Sequence, residues 1–167
     1  MNVVWILSLL STFLILLDQF TKFYIQDHFY LGESVTVIPD FFYFTYVRNP
    51  GAAFGFMADG NLIFKIILFK IVPVLACFWL AYMVMKINKS NKILATSYTL
   101  IFSGAVGNLF DRFMYNYVVD FFDFKFGLYH WPAFNIADSS IFIGGILLIV
   151  DFYFESKKSM KNIKKKS

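Results

Sequence analysis

Between residues 103 and 138 the chain gathers polar groups that could do chemistry. Asn108, Asp111 and Arg112 close one apolar segment, Asp120 and Asp123 lie in a short aromatic loop, and Asn135 and Asp138 open the next apolar segment. Two carboxylates held together in a water-poor setting cannot both ionise easily, so they share a proton. One then activates a water as base while the other donates to a carbonyl or to a leaving amine. That machinery hydrolyses amides and calls for no metal or cofactor. Other chemistries are poorly served. The two histidines, His28 and His130, and the single Cys77 do not form a zinc-binding spacing. No Gly-rich loop runs into Lys-Ser/Thr as a nucleotide site requires. A Ser-His-Asp set would have to recruit His130 with Ser139 or Ser140, which the spacing does not favour.

These groups need elements to hold them, and the composition says what kind. The chain has 167 residues, 59% hydrophobic and 16% charged, against about 45–50% and about 25% for a soluble domain. Four stretches, about 3–24, 62–85, 93–112 and 136–154, approach the roughly 20 apolar residues that span a bilayer. The expected architecture is a single polytopic membrane domain over 1–167, mainly α, with four transmembrane helices. The formal charge of +4 does not point to nucleic acid, because the bases cluster in the 86–92 loop and in a basic tail over 155–167. Excess Lys and Arg marks cytoplasmic segments. Both termini are therefore expected in the cytoplasm, the polar cluster at the opposite face, and the tail beside anionic membrane lipids. The first apolar run has no basic n-region and no small-residue cleavage site, and reads as a retained helix. Cys77 lies mid-membrane as a core thiol.

Along the chain, Asp18 and Lys22 stand at i and i+4 on one helix face. Either they face a cavity or partner, as ionisable groups at membrane depth usually do, or they sit at the outer interface with Lys22 snorkelling. Residues 34–48 are rich in β-branched and aromatic side chains around Pro39-Asp40, which favours a small hairpin or sheet lying on the outer leaflet. Asn49-Pro50-Gly51 is a turn signal, and Asn49 is a further candidate site residue. Pro73 is expected to kink the second span, which otherwise reads as scaffold. In the third, Ser103 and Gly107 form a small-xxx-small pair for close helix packing. Asn108 and Arg112 share a face. A helix-end salt bridge would explain Asp111 with Arg112 but leaves Asn108 without a role. Asn135 followed by an acid three residues on reads as a capping box, a role compatible with placing Asp138 for catalysis. Spacing alone does not choose between Asp120 and Asp123.

Taken together, Asp18-Gln19-x-x-Lys22, Asn49-x-Gly-Ala-Ala-Phe-Gly55, Gly104-x-x-Gly-Asn-x-x-Asp-Arg112, Val119-Asp-Phe121 and Phe134-Asn-x-Ala-Asp138 resemble the signal peptidase II family of bacterial inner-membrane aspartyl proteases. The pieces come in the family's order between four apolar segments, so the resemblance covers nearly the whole chain. It implies that Asp120 and Asp138 are the catalytic dyad and that Asn108, Arg112 and Asn135 line the site, with Asn49 in a loop that meets it. It implies structural roles for Asp18, Lys22 and Asp111. It further implies a small extracytoplasmic antiparallel β-cradle, sensitivity to globomycin, and diacylglyceryl-modified prolipoproteins as substrates, cut just before the lipidated cysteine. Nothing in the chain demands more than a monomer. Ser103 stands where the family usually has Gly, and so does Asn116, a residue type that tolerates positive φ. A small transporter or proton-relay protein is the alternative reading of buried acids. It predicts carboxylates spread through membrane depth and internal repeats. A subunit that uses its charges only for assembly is a third.

Overall fold

A computed structural model of the chain describes residues 3–51, 61–86 and 91–164. Residues 52–55 of the Asn49–Gly55 motif, most of the basic 86–92 loop, and residues 165–167 of the tail lie outside the described residues. Among the described residues, four helices are long and apolar enough to cross a membrane: Trp5–His28, Leu62–Lys86, Lys92–Met114 and Ile136–Lys158. They match the four expected spans. Helix α1 (Val3–His28) runs a turn further than expected, and α5 (Ile136–Lys164) continues as helix through residues expected as a tail. The second span is built from α2 (Leu62–Ile66), a π-helical turn over Ile67–Ile71 and α3 (Val72–Lys86). The π turn lies directly before Pro73, whose ring cannot tolerate the carbonyl four residues earlier. The expected irregularity takes that form.

Helix α4 (Lys92–Met114) is the centre of the bundle and carries the buried residues Ser97, Ser103, Gly104, Gly107, Asn108 and Asp111 along its length. Asn91 caps it by accepting from the Leu94 amide at 3.1 Å. Small residues let its neighbours approach: a Cβ at Gly104 would collide with the Ala137 carbonyl on α5, and one at Gly107 would lie 2.6 Å from an Asp18 carboxylate oxygen on α1. Ser103 donates to the Thr99 carbonyl at 2.7 Å and lies 2.9 Å from the Ser11 hydroxyl, and Ser97 donates to the Gly144 carbonyl at 2.7 Å. These neutral bonds close the helix contacts without leaving a bare polar group in lipid.

A four-stranded antiparallel sheet in the order β1-β2-β3-β4 sits at the end of the bundle where α4 stops and α5 starts. Strands β1 (Ser34–Ile38) and β2 (Phe42–Asn49) form the expected hairpin, turning through Asp40 at φ 58°. The cradle is larger than expected, because residues read as a loop form β3 (Val118–Phe126), followed by β4 (Tyr129–His130). The chain passes from α4 into β3 through Asn116 at φ 64°, the left-handed conformation for which Asn substitutes for Gly. Val119 and Phe121 on one face of β3 pack with Ile25 and Tyr46 in a buried core. Alternation along the strand turns Asp120 the other way.

Candidate active site

Asp120 comes from β3 and Asp138 from the first turn of α5, and one residue touches both. Asn135 donates from its carboxamide to Asp120 Oδ1 at 2.7 Å, and its backbone N–H donates to Asp138 Oδ2 at 3.2 Å. In return the Asp138 amide donates to Asn135 Oδ1 at 2.8 Å. The reciprocal pair is the capping box expected from spacing, and it also fixes one acid relative to the other. Asn135 is fully buried and does not line the cavity as expected: it braces the two acids from behind.

Each acid also accepts from a carboxamide other than that of Asn135. Asn49 donates to Asp120 Oδ2 at 3.0 Å, and Asn108 donates to Asp138 Oδ1 at 2.7 Å. Burial pushes the Asp120 carboxyl up to about 7, and the nearby charge of Asp138 adds to the rise, while the Asn49 and Asn135 bonds and the Lys22 charge oppose it. With that affinity the carboxyl is about half protonated at neutral pH, in the range that suits acid–base work.

Beneath the acids lies an ion trio. Lys22 Nζ is 2.9 Å from Asp18 and 3.0 Å from Asp111, with each side chain at most 2% exposed. The pair expected at i, i+4 is therefore present, but Lys22 does not snorkel. Asp111 does not pair with its neighbour Arg112, since consecutive helix residues point to different sides. It accepts instead from Lys22, from Gln19 at 3.1 Å and from the Val119 amide at 3.1 Å. Arg112 donates to the Gly51 carbonyl at 3.3 Å and lies 5.1 Å from the Phe69 ring centre.

The acids open onto a cavity of about 770 Å³ whose polar lining includes Asn49, Asn108, Arg112, Asp120 and Asp138. The rest of the wall is mostly apolar, from Trp131-Pro132-Ala133-Phe134 and from Ile141-Phe142-Ile143 on α5. This wall was not foreseen from sequence. Its signals were the aromatic run flanking the acids and the Trp131-Pro132 pair. Gln19, whose role the sequence does not suggest, donates to Asp18, the Gly107 carbonyl and Asp111 at 3.1 Å each. Asp123, the other candidate acid, stands apart from this group: it accepts from Thr45 at 2.8 Å and meets His130 Nδ1 at 2.8 Å.

Fold and site together define a polytopic membrane protein with two bracketed aspartates at one end of the bundle, facing an apolar cavity. The family model described as Signal peptidase (SPase) II matches residues 10–154. The lipoprotein signal peptidase of Syntrophus aciditrophicus is 46% identical over 144 residues, covering 86% of this chain and 89% of that protein. That of Shewanella sp. strain MR-4 is 48% identical over 142 residues, covering 85% and 82%. A bacterial membrane enzyme solved by the in meso method superposes with a TM-score of 0.82 at 35% identity, over 91% of this chain and 90% of that one. The chain belongs to the signal peptidase II family.

Proposed function

We propose that this protease removes the signal peptide from diacylglyceryl-modified prolipoproteins by aspartic chemistry, with Asp120 and Asp138 as the catalytic pair. The observation that carries the reading is Asn135, whose side chain and backbone hold one oxygen of each acid. Asp120 carries the shared proton. Asp138 takes a proton from water as the water oxygen attacks the scissile carbonyl carbon, and Asp120 gives its proton to the carbonyl oxygen. Collapse of the tetrahedral diol returns a proton to Asp120 and breaks the C–N bond, while Asp138 delivers its proton to the leaving amine. Arg112 and the carboxamides of Asn49 and Asn108, all in the cavity lining, orient the substrate backbone. The apolar wall suits acyl chains and a signal helix arriving sideways from lipid.

The protein lies in the bacterial inner membrane with both termini in the cytoplasm, which the lysine-rich 86–92 loop and C-terminal segment support. The site is then extracytoplasmic. All of the bonds that build it come from one chain, so a monomer is sufficient. The direct test is incubation of the purified protein with a diacylated prolipoprotein, with and without globomycin, followed by mass spectrometry of the products. Cleavage before the lipidated cysteine, blocked by globomycin, is expected. No cleavage of that substrate would refute the reading.

A further inference from the structure

Lys22 connects to both acids by three separate routes. An ammonium has three N–H donors and no acceptor, and those of Lys22 meet Asp18 at 2.9 Å, Asp111 at 3.0 Å and Asn108 Oδ1 at 3.0 Å. The first route runs through Asp18, whose other oxygen accepts from the Ala137 amide at 2.8 Å. Ala137 immediately precedes Asp138. The second runs through Asp111 Oδ2, which also accepts from the Val119 amide at 3.1 Å. Val119 immediately precedes Asp120. The two counter-ions of one lysine thus grip the backbone one residue before each acid, on the two elements that Asn135 also bridges through Val119 and Asp120.

The third route sets direction. A carboxamide has an oxygen end and an NH2 end, and a cation that only donates must face the oxygen. With Asn108 Oδ1 turned to Lys22, its NH2 is left to meet Asp138 at 2.7 Å. The same oxygen receives Asn135 Nδ2 at 3.1 Å, the nitrogen that also donates to Asp120. A reversed Asn108 would set NH2 against the ammonium and oxygen against the carboxylate. Lys22 is 2% exposed, so no water would relieve that arrangement.

We propose that Lys22, with Asp18 and Asp111, is a positioning unit that sets the separation and the hydrogen-bond polarity of the Asp120–Asp138 pair. The inference rests on the assignment of that pair. Lys22 touches no substrate in it. The lysine acts through Asn108 and through the backbone of β3 and α5, and its counter-ions make burial of the cation tolerable.

The test compares the triple variant Asp18→Asn/Lys22→Met/Asp111→Asn, the single variant Asn108→Ala, and Asp138→Asn as a reference. The triple variant is neutral, and its Asn oxygens still accept from Ala137 and Val119. A prolipoprotein cleavage assay is run across pH, with thermal unfolding as the check on folding. The triple variant is expected to lose about 100-fold in kcat with KM within about threefold of the parent. Its alkaline limb is expected to move from the parental position, because one cation and two carboxylates near Asp120 are removed together. Asn108→Ala leaves the ion trio intact and decides the matter if the triple variant does not fold. It is expected to lose kcat, and parental kcat in it overturns the proposal. So does a folded triple variant with parental kcat and an unmoved alkaline limb while Asp138→Asn is inactive. Activity in Asp138→Asn overturns the pair itself, and the proposal with it.

Discussion

Asp120 and Asp123 stand three residues apart on one strand, and the pleat sends them to opposite faces. Their composition of neighbours in sequence is almost the same, yet their partners in space are not. Asp120 is held by two carboxamides and faces the cavity beside Asp138. Asp123 is held by the Thr45 hydroxyl and by His130, whose side chain is half exposed. The first setting keeps a proton available next to a second acid. The second ties β4 back to the sheet. On the proposed assignment, what singles out the catalytic aspartate is the group of donors converging on it, more than the apolar character of the strand that carries it.

The comparison can be broken most sharply at Asp138, which belongs to one side only. Asp138→Asn removes the base and is expected to lower cleavage by about 1000-fold or more, read from the mobility of a lipidated precursor, with folding retained. A smaller effect concerns stability. Asp120 titrates at about 7 in the folded protein, against about 3.9 in an unfolded chain. Between those values the folded state keeps a proton that the unfolded state has lost, so this group's contribution to stability falls as pH rises from about 4 to about 7. Asp120→Asn abolishes that dependence. Relative to the parent, the variant is expected to gain stability through this window and then level off, by at most about 4 kcal/mol. Denaturant or thermal unfolding at pH 5 and pH 8 checks it, and a gain that shrinks with pH would be the wrong sign. The smallest effect is on the other face. His130→Ala removes a partly exposed partner of Asp123 and is expected to cost about 1 kcal/mol or less and to leave kcat within about threefold of the parent.

The same two residues mark where sequence reading stops. The four spans are legible because each offers an apolar run near the thickness of a bilayer, and the Lys22–Asp18 pair because i, i+4 neighbours must meet on a helix. β3 was not legible. Val118-Val-Asp-Phe-Phe-Asp-Phe124 is apolar on both faces, so the period of two that marks a half-exposed strand is hidden, and the segment reads as an aromatic loop. Without the strand the opposite orientations of Asp120 and Asp123 cannot be inferred, and only the family resemblance chose between them. Asp111 shows a second limit. Its neighbour Arg112 is the obvious partner on paper, but its actual partners Lys22, Gln19 and the Val119 amide come from elements far along the chain. At Asn116 the family resemblance supplied the expectation, a Gly position filled by a residue type that tolerates positive φ, and the backbone there stands at φ 64°.

The proposed division of labour is that one of these two strand aspartates does the chemistry and the other holds the sheet. Its most direct test is a side-by-side measurement of prolipoprotein cleavage by purified Asp120→Asn and Asp123→Asn, both checked for folding. The expected result is loss of about 1000-fold or more for Asp120→Asn and activity within about threefold of the parent for Asp123→Asn. Parental activity in Asp120→Asn, or a comparable loss in folded Asp123→Asn, would contradict the account.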